Sequence, residues 1–221
     1  MPISSLILAS RSPQRRAILE RLGVAFTVCA TDVPELTHGD PAQVARENAL
    51  RKARAALARD DAAAGETVLG CDTLVALGGR IYGKPADESA ARVTLQALAG
   101  QTHEVVSGLA LLTTPDAGAG VDTGAGADAG AGDCAGPGEG DRVGVRERTA
   151  VARTAVTFRE LTEGMLDWYL ARGEWRGRAG GYAIQGAGAA LVTRVAGDYE
   201  NVVGLPVATL VDLAPEILTG T

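Results

Sequence analysis

Asp72 stands in the middle of an apolar run, Val68-Leu-Gly-Cys-Asp-Thr-Leu-Val75. Burying a carboxylate is costly unless it is paired or binds a metal, and acids embedded in strands in this way serve as general bases or metal ligands. The competing reading is a carboxylate at a bend that caps a neighbouring amide. A second chemical stretch opens the chain, Leu6-Ile-Leu-Ala-Ser-Arg-Ser-Pro-Gln-Arg-Arg16. There a short apolar strand runs through a polar turn into a helix begun by proline. Free N–H groups at such a start, with the hydroxyls of Ser10 and Ser12 and the guanidinium of Arg15, suit a phosphate. Ordinary capping by Ser12, with the arginines solvated, accounts for the same residues.

Two further stretches carry polar groups among glycines. Gly78-Gly-Arg-Ile-Tyr-Gly-Lys-Pro85 imitates the spacing of a P-loop, but Pro85 stands where the metal-binding hydroxyl belongs and Gly78-Gly79 reads as a hairpin turn. It is not a P-loop. Lys84, in its proline-fixed turn, is either aimed at something definite or simply solvated. Gly177-Arg-Ala-Gly-Gly-Tyr-Ala-Ile-Gln-Gly-Ala-Gly188 packs glycines around a short apolar core, a density that signals close backbone approach to a ligand or another strand. Gln185 offers the edge of a nucleobase both a donor and an acceptor, while Tyr182 reads as core or, alternatively, as a stacking surface. His38 and His103 have no ligand spacing and read as structural.

The elements that must position these residues interleave. Caps at Ser12, Asp40, Asp87 and Thr162 predict helices that run to 21, over 43–59, over 88–98 and over 163–171. Apolar runs predict strands at 6–9, 67–77, 80–82, 104–112, 149–158, 182–185 and 190–195. Helices alternating with strands and hairpins define an α/β class with a mixed sheet.

With 221 residues, 46% of them hydrophobic, the chain is long enough for one large domain or two closely joined lobes without disulfides or structural metal. Cys29, Cys71 and Cys134 are too few and too scattered for a disulfide framework or a zinc site. No secretory signal or membrane span is legible, so the expected location is cytoplasmic, with no membrane partner. The net charge of −6 is matched by six acids between 115 and 141, a stretch without Lys or Arg. The remainder is balanced and has no basic stripe, which disfavours nucleic acid as a partner. Residues of about 114–141 read as a flexible, acidic Gly/Ala-rich loop inserted between two pairing strands.

Taken together, LASRSPQRR, TDVPE ending at Glu35, ENALRKA around Lys52, GCDTLVALGGRIYGKP, GQTHEVVSG, LDWYLARGEWRGRAGGYAIQG and YENVVGLP resemble the Maf family of nucleoside triphosphate pyrophosphatases. The resemblance covers nearly the whole chain apart from the acidic loop. It implies a single elongated α/β domain over 1–221, of Maf/inosine-triphosphatase-like fold, with a central mixed sheet, flanking helices, a cleft between two lobes and homodimerisation. It also implies hydrolysis of a nucleoside triphosphate between the α- and β-phosphates, with Mg²⁺ or Mn²⁺. By motif position, Asp72 resembles the proton acceptor, and Ser10, Arg15, Lys52 and Lys84 match residues that gather phosphates. Glu35 matches an acid that helps to hold the metal, and Thr73 and Gln185 match positions tied to base choice. The tract EWRGRAGGYAIQG resembles the dTTP/UTP branch; a modified nucleotide is the nearer alternative substrate. The more distant alternative is a non-catalytic nucleotide-binding regulator of septum formation. Gln14 departs from the family's arginine, and Arg11 from its small residue. Deletion of 118–138 is expected to leave turnover intact; a large drop in kcat would show that the loop covers the cleft.

Overall fold

A computed structural model describes residues 5–59, 63–115 and 144–219. The strands are β1 (Ser5–Leu8), β2 (Thr27–Val28), β3 (Glu66–Leu77), β4 (Arg80–Tyr82), β5 (Thr102–Thr113), β6 (Arg146–Phe158) and β7 (Val192–Ala196). The helices are α1 (Pro13–Arg21), α2 (Pro41–Leu57), α3 (Glu88–Leu98), α4 (Glu163–Leu170), α5 (Tyr199–Val203) and α6 (Val207–Leu213). The strands form one mixed sheet in the order β2-β1-β3-β5-β6-β7, with β4 on β3. β1 runs parallel to β2 and β3, and the remaining pairs are antiparallel.

All four predicted caps hold. Ser12, Asp40, Asp87 and Thr162 each accept a backbone N–H from the residue three positions on. Gly78 and Gly79 both take positive φ, 58° and 80°, as a tight two-residue hairpin requires. β5 and β6 pair throughout, from Thr102 with Thr157 to Thr113 with Arg146. The acidic loop expected between them lies, apart from residues 114 and 115, outside the described residues.

The strand expected at 182–185 is not one. Gly180 and Gly181 adopt φ of 67° and 68° in a short 3-10 turn over Ala179–Gly181, and the chain then folds inward. The N–H of Ala183 donates to the Tyr169 hydroxyl (3.0 Å) instead of to a ladder partner. The strand expected at 190–195 begins only at Val192, because a 3-10 helix occupies Ala187–Leu191.

Alternation along β3 and β5 sends side chains to two helical layers. Val68, Leu74, Ala110 and Leu112 pack under α2. Leu69, Cys71, Leu109 and Leu111 pack against α1 and α6. Two glycines set the depth of the α2 layer: a Cβ at Gly70 would collide with the Ala49 carbonyl, and one at Gly108 with the Ala45 carbonyl. Gly108 lies directly across the ladder from Asp72. The missing side chains let the backbone of α2 settle onto the sheet beside that aspartate. Among the described residues, no strand is longer than 13 residues and no helix is long and apolar enough to cross a membrane.

Candidate active site

β3 changes neighbours in mid-course. β1 pairs with residues 66–69 and β4 with residues 75–77. Between these stretches the strand edge is open, and the chain leaving β1 turns away after the N–H of Ala9 has bonded the Leu69 carbonyl (2.9 Å). Such reversals are where α/β sheets form ligand crevices. Here the gap opens into a cleft of about 690 Å³. Asp72 and Thr73, on opposite faces of β3, both line it.

Asp72 is buried, with 6% of its surface exposed, and it is not a bend cap. Its Oδ1 accepts from Lys52 Nζ (2.6 Å) and its Oδ2 from Asn48 Nδ2 (3.0 Å). Both donors come from α2, where a spacing of four places them on one face. Burial alone would raise the carboxyl's pKa. The Lys52 ammonium, its hydrogen bond, the Arg15 charge and the Asn48 bond outweigh burial and hold it below the ordinary carboxylate range. Asp72 is therefore ionised at neutral pH.

Glu35, on the irregular segment between β2 and α2, accepts from the same Lys52 Nζ (2.6 Å) and from Lys84 (3.3 Å to each oxygen). Lys84 is thus aimed, as one of its two readings required. Lys52 bridges the two carboxylates, and the four residues form one alternating chain of charge.

The opposite wall is the turn into α1. Ser10 Oγ accepts the N–H of Ser12 (3.2 Å) and Arg15 Nη1 (3.0 Å). Ser12 caps the helix and donates to Gln14 Oε1 (3.0 Å). Arg15 is buried, and its Nε donates to the Gly204 carbonyl (2.9 Å) and its Nη2 to Thr73 Oγ1 (3.2 Å). Of the ordinary-capping reading of this turn, the Ser12 cap is present but Arg15 is not solvated. Arg15 faces the cleft while bracing its floor. Thr73 Oγ1 also lies 2.8 Å from Ser107 Oγ and 3.2 Å from the Gly204 carbonyl, so its hydroxyl is committed to the protein. Gln185 is exposed at the rim. Tyr182 is core: its hydroxyl lies 2.9 Å from His103 Nε2. Burial pushes His103 down to about 4 and keeps it neutral, in line with its structural reading.

Every residue singled out from the sequence, Ser10, Arg15, Glu35, Lys52, Asp72, Thr73, Lys84 and Gln185, lines this one cleft. Sequence reasoning missed Asn48, although its place four residues before Lys52 was a usable signal. It also missed Arg176 and Arg178, which line the cleft from the glycine-rich tract. The Gly204 carbonyl, on which Arg15 and Thr73 converge, had no sequence signal. In all, Arg11, Arg15, Lys52, Lys84, Arg176 and Arg178 face three acids, Asp32, Glu35 and Asp72. An acidic chain has folded a hollow in which six cations outnumber three acids and the buried Asp72 is ionised, an arrangement suited to a polyanion that meets a base.

A family model described as Maf-like protein matches residues 5–217. The chain belongs to the Maf family. Among its relatives, the dTTP/UTP pyrophosphatase of Moorella thermoacetica is 41% identical over 216 residues, which is 96% of this chain and 94% of the relative. That of an Anaeromyxobacter species is 40% identical over 208 residues, 94% and 87% of the two chains. The dTTP/UTP pyrophosphatase of Pyrococcus furiosus is 36% identical over 213 residues, 96% and 93%. A solved nucleoside-triphosphatase / dITP/XTP pyrophosphatase from Mycobacterium abscessus aligns with 70% of this chain and 74% of its own at 17% identity and a TM-score of 0.38, too loose a likeness to carry an inference. Gln14 Oε1 accepts from the Ser12 hydroxyl, and Arg11, exposed on the same turn, lines the cleft.

Proposed function

We propose that this chain hydrolyses dTTP and UTP between the α- and β-phosphates, releasing the nucleoside monophosphate and pyrophosphate. The observation that carries this reading is Asp72, ionised and bonded on both oxygens at the floor of a cleft with six cationic side chains. The names of the Maf relatives support the substrate and reaction class. In this reading Lys52, Lys84 and the Ser10–Arg15 wall receive the triphosphate, whose repulsion toward a nucleophile must be neutralised before attack. Asp72 takes a proton from water as its oxygen bonds to the α-phosphorus, and the breaking bond's electrons leave with pyrophosphate. Gln185 and the Thr73 region meet the base.

Glu35, tied to both lysines, and Asp72 are hard oxygen donors on one wall. That set fits Mg²⁺ or Mn²⁺ sharing its coordination with phosphate oxygens and water. Among the described residues no group of three or more His, Cys, Asp or Glu is placed to hold a metal, this cleft included, so the ion would take most of its ligands from the phosphates and water. Bound at Glu35, the ion would supply charge neutralisation and polarisation of the phosphoryl oxygens.

Because Asp72 lies below the ordinary carboxylate range, the acid limb of kcat/KM that it sets should lie below that range. Lys52→Met removes the largest opposing charge and leaves burial in place. Its acid limb should move upward, which a pH profile of kcat/KM reads directly. For stability the sign is the same: the paired carboxylate contributes above the unfolded-state value and is lost as pH falls through its lower folded-state value.

The reading is tested by a pyrophosphate-release screen over dTTP, UTP, the other common triphosphates and modified nucleotides, with Mg²⁺ or Mn²⁺. Release from dTTP and UTP is the expected result. Binding of these nucleotides without any release would identify a sensor instead.

A further inference from the structure

We infer that Asn48 is a positioning residue whose carboxamide clamps the Leu36 backbone to Asp72 and so sets the spacing of the Glu35 and Asp72 carboxylates. This role rests on the pyrophosphatase reading for its catalytic consequence, but the clamp itself is geometric. Asn48 is 2% exposed. Its Oδ1 accepts the Leu36 N–H (2.7 Å), and its Nδ2 donates to the Leu36 carbonyl (3.0 Å) and to Asp72 Oδ2 (3.0 Å). Both amide hydrogens and the oxygen are thus occupied, one backbone residue and one carboxylate sharing a single side chain.

The segment it holds has few other anchors. Residues 29–39 form neither helix nor strand, and beyond the Cys29 N–H, which bonds the Leu8 carbonyl (3.0 Å), the segment leaves the ladder. Leu36 is 37% exposed, so it is only a partial apolar anchor. Of the Glu35 ion pairs, the one to Lys84 is exposed, a type that contributes little by itself, and the tighter one to the largely buried Lys52 holds the carboxylate but no backbone group. Asn48 supplies two well-formed bonds from a rigid helix, and α2 is seated on glycine backbone at Gly70 and Gly108. Misplacement of a catalytic group by even about 1 Å can cost on the order of 100-fold in rate. Neither neighbouring residue type replaces the amide. Aspartate keeps the acceptor for Leu36 but loses both donors and sets a second negative charge on Asp72. Alanine leaves both Leu36 backbone groups and Asp72 Oδ2 without their partner.

The test compares Asn48→Ala and Asn48→Asp with Leu50→Ala, a buried change on the same helix whose side chain lies outside the cleft. Hydrogen exchange over residues 33–38 and steady-state kinetics on dTTP are measured for each. Both Asn48 variants should exchange at least tenfold faster over 33–38 and lose at least 100-fold in kcat, with the nucleotide KM within threefold of the parent. Leu50→Ala should lower the melting temperature and do neither. If one Asn48 variant fails to fold, the other decides. Exchange over 33–38 equal to the parent's, or a kcat within threefold of it, overturns the assignment. Should the parent release no pyrophosphate, the function proposed above falls separately, and the exchange rates alone decide whether Asn48 is the clamp.

Discussion

Asp72→Asn should reduce turnover on dTTP by about 10³-fold, within the range contributed by a positioned general base, while nucleotide binding persists. The substitution keeps the shape and removes the charge. The carboxylate now accepts from Lys52 on one oxygen and Asn48 on the other. An amide can accept through its oxygen only, so one of the two donors loses its partner. The cationic lining of the cleft is otherwise untouched, and with one negative charge fewer it should bind the triphosphate at least as well. The check is a paired measurement: kcat from pyrophosphate release, and Kd for dTTP by calorimetry with the inactive variant. Undiminished kcat would remove Asp72 from the chemistry. Lost binding with lost kcat would make it a structural counter-charge for Lys52.

Gly108→Ala should be severely damaging for a single added methyl. Its Cβ would meet the backbone of Ala45 and Arg46 in α2, not the tip of a flexible side chain, so the helix itself must move. Overpacking of this kind costs about 3 kcal/mol. The functional loss should exceed what instability explains, because α2 carries both donors to Asp72 and Gly108 sits across the ladder from it. A displacement of about 1 Å predicts a loss on the order of 100-fold in kcat. Urea unfolding and kcat measured at a temperature where the variant is fully folded separate the two effects. A folded Gly108→Ala variant with the parent's kcat would mean that α2 need not lie so close.

Much of this arrangement was legible from the residues alone, where local chemistry determined the outcome. Side-chain caps and the double-glycine turn acted through neighbours in sequence, and those elements appear where expected. Asp72 was conspicuous because a charge in an apolar run demands a partner. The partners themselves were harder to read. Lys52 entered through its motif, whereas Asn48 was overlooked because an amide in a helix carries no charge to draw attention. The tract around Tyr182 misled because its alternation imitates a strand. Positive φ at Gly180 and Gly181 and a side-chain hydroxyl from Tyr169 capture its backbone instead. The short α5 and α6 lacked enough periodic residues to stand out. The convergence of Arg15 and Thr73 on the Gly204 carbonyl joins residues far apart in the chain and left no local trace.

The decisive trial is hydrolysis of UTP in water enriched in oxygen-18, with the products resolved by mass. If Asp72 directs solvent onto the innermost phosphorus, the heavy atom should appear in the uridine monophosphate, the pyrophosphate should carry none, and Asp72→Asn should fall to background. Release of orthophosphate, heavy oxygen in the pyrophosphate, or an undiminished rate without the carboxylate would contradict the account.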